Sequence, residues 1–425
     1  MTTTKNNEHK KLNVPNKREQ NQTCLDSAER QGLRPKGNVP NLRFPEFQGK
    51  WEELGLSELL DFKNGLNPKP DKFGKGIKFI SVMDILNNAV ITYDCIKASV
   101  DVTEKELSDF SVEKGDILFQ RSSETLEDVG RANVYMDDKT AIFGGFVIRG
   151  KKKGEYDPQY FNYLLRSPFA RKRIIPMGAG AQHFNIGQEG LSKVKLHFAN
   201  IEEQKKIGKM LSLLDERIAT QNKIIEDLKE LKCAIIEKVY SEIQGEEYSY
   251  RQLFDVVNER NKQMEYSNIL SASQEKGMVN REDLNLDIQF ERNNINTYKI
   301  VREGDYVIHL RSFQGGFAFS DKLGVCSPAY TILRPNNLLE YGYLSNYFTS
   351  QRFIKSLIIV TYGIRDGRSI NVDEWFNMKI SIPSREHQRY IVKVIGSFER
   401  KIENEEAYAA HLSNQKQYLL RQMFV

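Results

Sequence analysis

The chain carries the same order of segments twice, and this constrains its fold more than any single motif. Val112-Glu113-Lys114-Gly115-Asp116-Ile117-Leu118 recurs 189 residues later as Val301-Arg302-Glu303-Gly304-Asp305-Tyr306-Val307. Glu202-Glu203-Gln204-Lys205-Lys206-Ile207 matches Glu386-His387-Gln388-Arg389-Tyr390-Ile391 at an offset of 184. Tyr163-Leu164-Leu165-Arg166-Ser167 returns loosely as Asn346-Tyr347-Phe348-Thr349-Ser350. Each copy is a mixed region of short strand-like runs, such as Lys78–Val82 and Asp116–Phe119, closed by a long helical pattern.

Boundaries follow from these patterns. Residues 1–37 are polar, with almost no large apolar side chains, and read as a disordered extension. Residues 38–200 form the first mixed domain, with a helix expected near 159–175, and 246–384 form the second. Residues 201–245 and 385–425 are the helices, the first expected to stop at Gly245. Asn200 and Ser384 stand where a side chain can cap the free N–H groups of each helix.

In the first helix Ile207, Leu211, Leu214, Ile218, Ile225, Leu228, Ile235 and Val239 keep the 4,3 spacing of a coiled-coil seam if Gln221 and Lys232 fill the gaps. Both polar interruptions recur 184 residues on, as Glu405 and Lys416. The expected partner of each helix is the other. The resulting fold is α+β, with two mixed α/β domains related by pseudo-twofold symmetry and joined by two long antiparallel coiled-coil helices. An unpaired charge in a seam is costly, so the expected register places Gln221 opposite Lys416 and Lys232 opposite Glu405. About 37 helical residues span about 55 Å, more than the roughly 34 Å of one DNA turn. An oligomerisation coiled coil without a spacing role is the competing reading.

Composition sets limits. Lys+Arg number 62 against 57 Asp+Glu, and residues 1–50 alone hold ten basic and five acidic groups, so net charge gives no argument for a nucleic-acid partner. Charge is segregated instead: residues 51–139 carry 11 basic and 18 acidic groups, and 140–200 carry 10 and 3. That segregation allows a basic face toward phosphates, with ordinary surface scatter as the alternative. No run of 18 apolar residues and no apolar leader occurs, so neither a membrane span nor a secretory signal is expected. Cys24, Cys95, Cys233 and Cys326 lack metal-ligand spacing and read as reduced thiols of a cytoplasmic protein. There is no GxxxxGK[ST], HExxH or GxSxG, and no Gly-rich methyl-donor loop followed by an Asn/Asp-Pro-Pro-aromatic tetrapeptide. The chain is therefore expected to be non-catalytic and to hold no metal.

The duplicated mixed domain, the Glu-x-Gln-x-x-Ile opening of each helix, and the lead-in Asn38-Val39-Pro40-Asn41-Leu42-Arg43-Phe44-Pro45 followed by Trp51 together resemble the specificity subunit of type I restriction–modification systems over residues 38–425. The resemblance implies a DNA reader whose two target-recognition domains each bind one half of a bipartite, asymmetric site in double-stranded DNA. It implies helices that set the separation of the halves and dock two methyltransferase subunits, which bring S-adenosylmethionine and methylate adenine. It further implies restriction/translocase subunits that use ATP and Mg²⁺ to cleave unmodified DNA. No cofactor is expected on this chain. Two alternatives stay open: a free-standing pseudodimeric DNA-binding adaptor or regulator, and an enzyme with an unrecognised site.

Base readout needs bidentate side chains on accessible loops, and phosphates need Arg, Lys or backbone amides. Arg121-Ser122-Ser123 follows a strand, as do Arg311-Ser312 and Gln314 in the second copy. A structural Arg–carboxylate pair is the alternative there. The second constellation is the Gly-rich stretch 178–185 with Gln182, His183 and Asn185, matched by 363–371 with Arg365, Arg368 and Asn371, or else a plain turn. Phosphate candidates are Lys151, Lys152, Lys153, Arg171, Lys172 and Arg173, with Arg352 and Lys355 in the second copy; a merely solvated charge is the alternative for each.

Overall fold

A computed structural model of the chain describes residues 37–273, 276–283, 292–309, 316–362 and 369–425. The expected extension therefore lies outside the described residues, except for Gly37. Two compact units divide the chain, Met1–Thr220 with Ala409–Val425, and Gln221–Tyr408. The division cuts both long helices rather than falling at their ends, because each helix gives one half to the core of each unit. Ile207, Leu211 and Met423 are buried in the core of the first, and Ile236, Tyr240, Ile391 and Ile395 in that of the second.

In the first unit the strands are β1 (Glu52–Gly55), β2 (Leu60–Asn64), β3 (Phe73–Ile80), β4 (Ser99–Val100), β5 (Ser111–Val112), β6 (Ile117–Gln120), β7 (Ser122–Ser123), β8 (Ala132–Val134), β9 (Ala141–Phe143), β10 (Val147–Lys152), β11 (Phe184–Asn185) and β12 (Lys195–Phe198). An antiparallel sheet β2-β10-β6-β8 forms its centre. A second sheet, β4-β3-β9-β5, includes the parallel pair β3–β9, and β1 pairs with β12. The second unit has β13 (Glu246–Ser249), β14 (Phe254–Val257), β15 (Leu270–Ser273), β16 (Gly277–Asn280), β17 (Lys299–Val301), β18 (Tyr306–Ile308), β19 (Phe317–Phe319), β20 (Gly324–Cys326), β21 (Thr331–Pro335), β22 (Thr361–Tyr362), β23 (Ser369–Ile370) and β24 (Lys379–Ile382). Its central sheet, β14-β21-β18-β19, repeats the order of the first, and β13–β24 repeats β1–β12.

The repeated motifs are the corners of this shared topology. Gly115 and Gly304 adopt φ of 95° and 90°, a left-handed turn that favours glycine. The following Asp116 and Asp305 turn back to accept from the amides of Glu113 (3.0 Å) and Arg302 (2.9 Å). The expected helix near 159–175 is two helices, Pro158–Arg166 and Pro168–Ile174. The chain breaks at Ser167, which precedes a proline and caps the second helix through the Ala170 amide. Ser350 caps Gln351–Ser356 in the same way through Phe353.

The long helices run Ile201–Glu242 and Arg385–Gln422. Asn200 accepts from Glu203 N (2.9 Å) and Ser384 from His387 N (3.3 Å), as the capping pattern predicts. The repeated glutamine tethers each helix to its domain. Buried Gln204 accepts from Asp157 N (2.9 Å) and donates to Ala199 O (2.8 Å). Buried Gln388 accepts from Glu340 N (2.8 Å) and donates to Leu338 O (2.9 Å) and Pro383 O (3.0 Å). The lead-in segment is held by Arg43, whose guanidinium makes two bonds, of 2.8 and 2.7 Å, to the fully buried Glu203 carboxylate. Gly245 does not act as a helix stop. A Cβ there would meet the Ile382 carbonyl oxygen at 2.2 Å, so the close approach of β24 requires glycine.

The helices pair antiparallel within each unit, with a register that corrects the expected one. Gln221 bonds Glu405, Lys232 pairs with Glu399 (3.0 Å), and Lys416 pairs with Asp215 (2.5 Å). Asp215 and Glu399 lie one residue beyond the seam positions Leu214 and Phe398, and a long lysine reaches such flanking carboxylates, which a count of seam positions ignores. The two lysines are 184 residues apart, as are the two carboxylates, so each unit makes the same ion pair.

Candidate nucleic-acid interface

The first two constellations meet. β7, holding Ser122 and Ser123, pairs antiparallel with β11, holding Phe184 and Asn185, so Ser122 faces Asn185 and its hydroxyl donates to the Asn185 Oδ1. Asn185 also exchanges both backbone bonds with Ala179 (2.9 and 2.8 Å), which closes the Gly-rich stretch into a hairpin. Gly180 has φ of 145°, and a Cβ on it would meet the His183 carbonyl oxygen at 2.0 Å; only glycine lets the tip fold this tightly. Gln182, His183 and Asn185 are exposed around that tip. Arg121 runs along the ribbon base. Its amide donates to Phe146 O (2.9 Å), its carbonyl accepts from Ile186 N (2.9 Å), and its Nη1 donates to Gly145 O (3.3 Å) rather than to a carboxylate.

In the second unit β22 and β23 form the corresponding hairpin. Arg365 and Arg368, and Arg311, Ser312 and Gln314, lie outside the described residues. Asn371 stands past the hairpin, where its side chain caps helix Val372–Asn377 through the Glu374 amide (3.4 Å). Arg352 and Lys355 are exposed on Gln351–Ser356, just ahead of the hairpin.

The other basic candidates are dispersed. Lys151 and Lys152 sit at the opposite end of β10 from Val147, which pairs with Gln120; four residues of strand put roughly 13 Å between them. Lys151 pairs with Glu113 (3.1 Å), Lys152 donates to Tyr156 O (3.1 Å), and Lys153 pairs with Asp61 (3.7 Å). Arg171 is a structural clamp that donates to Glu127 O (2.8 Å) and Val129 O (2.7 Å), and burial pulls its pKa down to about 10. Arg173 binds Glu53 (3.2 Å) and Lys195 O (3.0 Å), while Lys172 is exposed beside it. The charge segregation is thus used internally, since Lys151, Lys153 and Arg173 all pair with acids from 51–139.

Sequence reasoning missed the turn Gly144–Val147, which touches Arg121; its only signal is two glycines ahead of an aromatic residue. Among the described residues, no group of three or more His, Cys, Asp or Glu side chains is arranged to hold a metal, and no helix is long and apolar enough to cross a membrane.

Comparison with known proteins fits this layout. The putative type I restriction enzyme MjaX specificity subunit of Methanocaldococcus jannaschii is 24% identical over 396 residues, 86% of this chain and 91% of that protein. The type I restriction enzyme EcoKI specificity subunit of Escherichia coli is 25% identical over 138 residues, 32% of this chain and 28% of that one. In fold, the type I restriction–modification S subunit from M. genitalium matches with a TM-score of 0.53 at 16% identity, over 91% of this chain and 99% of that one. A chain from a structure of the type I R-M system, concerned with complex assembly and conformational transition, matches at 0.57 with 14% identity, over 88% and 97%. The profile of the type I restriction modification DNA specificity domain matches twice, over residues 48–230 and 245–413, one match for each copy of the duplicated topology. The chain belongs to the type I restriction–modification DNA specificity family.

Proposed function

We propose that each mixed domain reads one half of a bipartite DNA site through its Gly-rich hairpin, and that the site is asymmetric. As a specificity subunit the chain selects DNA sequence and leaves catalysis to its partners. The observation that carries the reading is the duplicated topology, with a short hairpin in each unit, closed at Ala179–Asn185 and by β22–β23, whose sequences differ. Gln and Asn suit adenine and Arg suits guanine, so the unlike sequences of 178–185 and 363–371 imply unlike half-sites. In this reading residues 38–200 and 246–384 are the recognition domains, and the helices 201–245 and 385–425 dock two methyltransferase subunits. Those partners bring S-adenosylmethionine and methylate adenine; restriction/translocase subunits with ATP and Mg²⁺ cleave unmodified DNA. The assembly works in the cytoplasm.

The test is methylome sequencing of cells with and without the gene, followed by an Asn185→Ala variant. A two-part adenine-methylated motif should depend on the gene, and Asn185→Ala should relax one part and leave the other intact. Uniform weakening at all sites would make Asn185 a phosphate contact, and no gene-dependent motif would reject the reading.

A further inference from the structure

Phe146 is the most exposed large apolar side chain described in the first unit, 67% exposed within a run of otherwise buried residues, Ala141–Gly150. It is presented rather than loose. Val147 N donates to Gly144 O (2.8 Å), closing a tight turn. Leu66 N holds Phe143 O (3.0 Å), Gly65 N holds Val147 O (3.1 Å), and Arg121 grips both Gly145 O and Phe146 O. The turn packs closely on its surroundings: a Cβ on Gly145 would fall 1.9 Å from Asn67 Oδ1, and one on Gly65 would fall 2.0 Å from Gly144 O.

A single exposed apolar side chain is ordinary on a protein surface, so exposure alone argues nothing. The location does. Phe146, Arg121 and Ile186 are joined side by side by backbone bonds, so the turn that carries the exposed ring lies beside the β7–β11 ribbon with its Ser122 and Asn185. In the second unit the equivalent turn, Ser327–Tyr330 closed by Tyr330 N to Ser327 O (3.1 Å), has Ala329 at the position of Phe146. Among the described residues there, the most exposed large apolar side chain is Ile359, 72% exposed, on Leu357–Val360 directly before β22. The feature recurs beside both hairpins on elements that do not correspond, so shared architecture does not explain it.

From this arrangement we infer that Phe146 is an apolar wedge, pressed between two stacked bases of the half-site read by the first unit. A rigid aromatic side chain beside polar reading groups is the equipment proteins use to unstack a base step and so read its deformability. The ring needs no rearrangement to reach DNA, because the turn is fixed before contact. Flexible pyrimidine–purine steps are the easiest to open, so such a step is expected in that half. This inference rests on the hairpin reading proposed above.

The test uses the complete complex purified from its host and a duplex of the mapped site, with 2-aminopurine placed in turn at each adenine of the first half. Fluorescence should rise on binding at one position besides the adenine that the methyltransferase subunit flips out of the stack. Phe146→Ala should abolish the rise and weaken binding by about tenfold or more, whereas Phe146→Trp should keep both. Thermal melting of each variant confirms that the turn still folds. If Phe146→Ala keeps affinity and fluorescence while Asn185→Ala relaxes the first half-site, the wedge is overturned and the reader stands. If neither substitution alters recognition, the hairpin reading fails and takes the wedge with it.

Discussion

Gln388 ties a helix to its domain: its side-chain amide satisfies three backbone groups in a fully buried position. Replacing it with leucine strands an N–H and two carbonyls away from water, so Gln388→Leu should destabilise the second unit by at least about 2 kcal/mol. Urea denaturation of the full chain measures this, and a change below about 0.5 kcal/mol would show that the tether is dispensable. His309 sets a pH dependence at the same scale. Its Nε2 is buried without a hydrogen-bond partner among the described residues, and burial lowers its pKa below the usual 6.5. The unfolded chain takes up this proton first, so stability is intact above pH 6.5 and falls with acidification through the folded pKa. Between pH 7.5 and 5.5 the wild type should lose more stability than His309→Gln, and equal losses would remove His309 as the cause.

The helix pair shows which part of an element its sequence reveals. Apolar spacing marked the seam and the caps, because periodicity and hydrogen-bonding ends are local properties. Register was not legible, since it depends on how far Lys232 and Lys416 reach sideways to Glu399 and Asp215. The candidate interface divides along the same line. The Gly-rich stretch and Arg121-Ser122-Ser123 were visible as separate signals, while their pairing through Ser122 and Asn185 is a long-range contact. Arg171 looked like a phosphate ligand because no sequence rule shows a guanidinium turning inward to two carbonyls. The register is open to a double-mutant cycle. Lys232→Glu should destabilise, and adding Glu399→Lys should restore about 0.5–1 kcal/mol, as suits a partly exposed pair. Rescue by Glu405→Lys instead would return the register to the one expected from spacing.

For the molecule as a whole, the last residues matter as much as the first described ones. Phe424 is fully buried against Trp51 (6.3 Å between ring centroids) and Tyr160 (5.5 Å), and Leu42 N donates to Gln422 O (2.9 Å). Phe424→Ala should cost the first unit about 3–5 kcal/mol, read as an early transition in hydrogen exchange at its core amides. A single cooperative shift of the whole chain would show instead that the units do not unfold separately. Met423, Phe424 and Val425 complete a core begun near residue 51, yet the ribosome reaches them only after the whole of Gln221–Tyr408. At about 5–20 residues per second, the nascent chain waits ~10–40 s with an unfilled hydrophobic gap, and the first unit cannot close its core until the second has been synthesised.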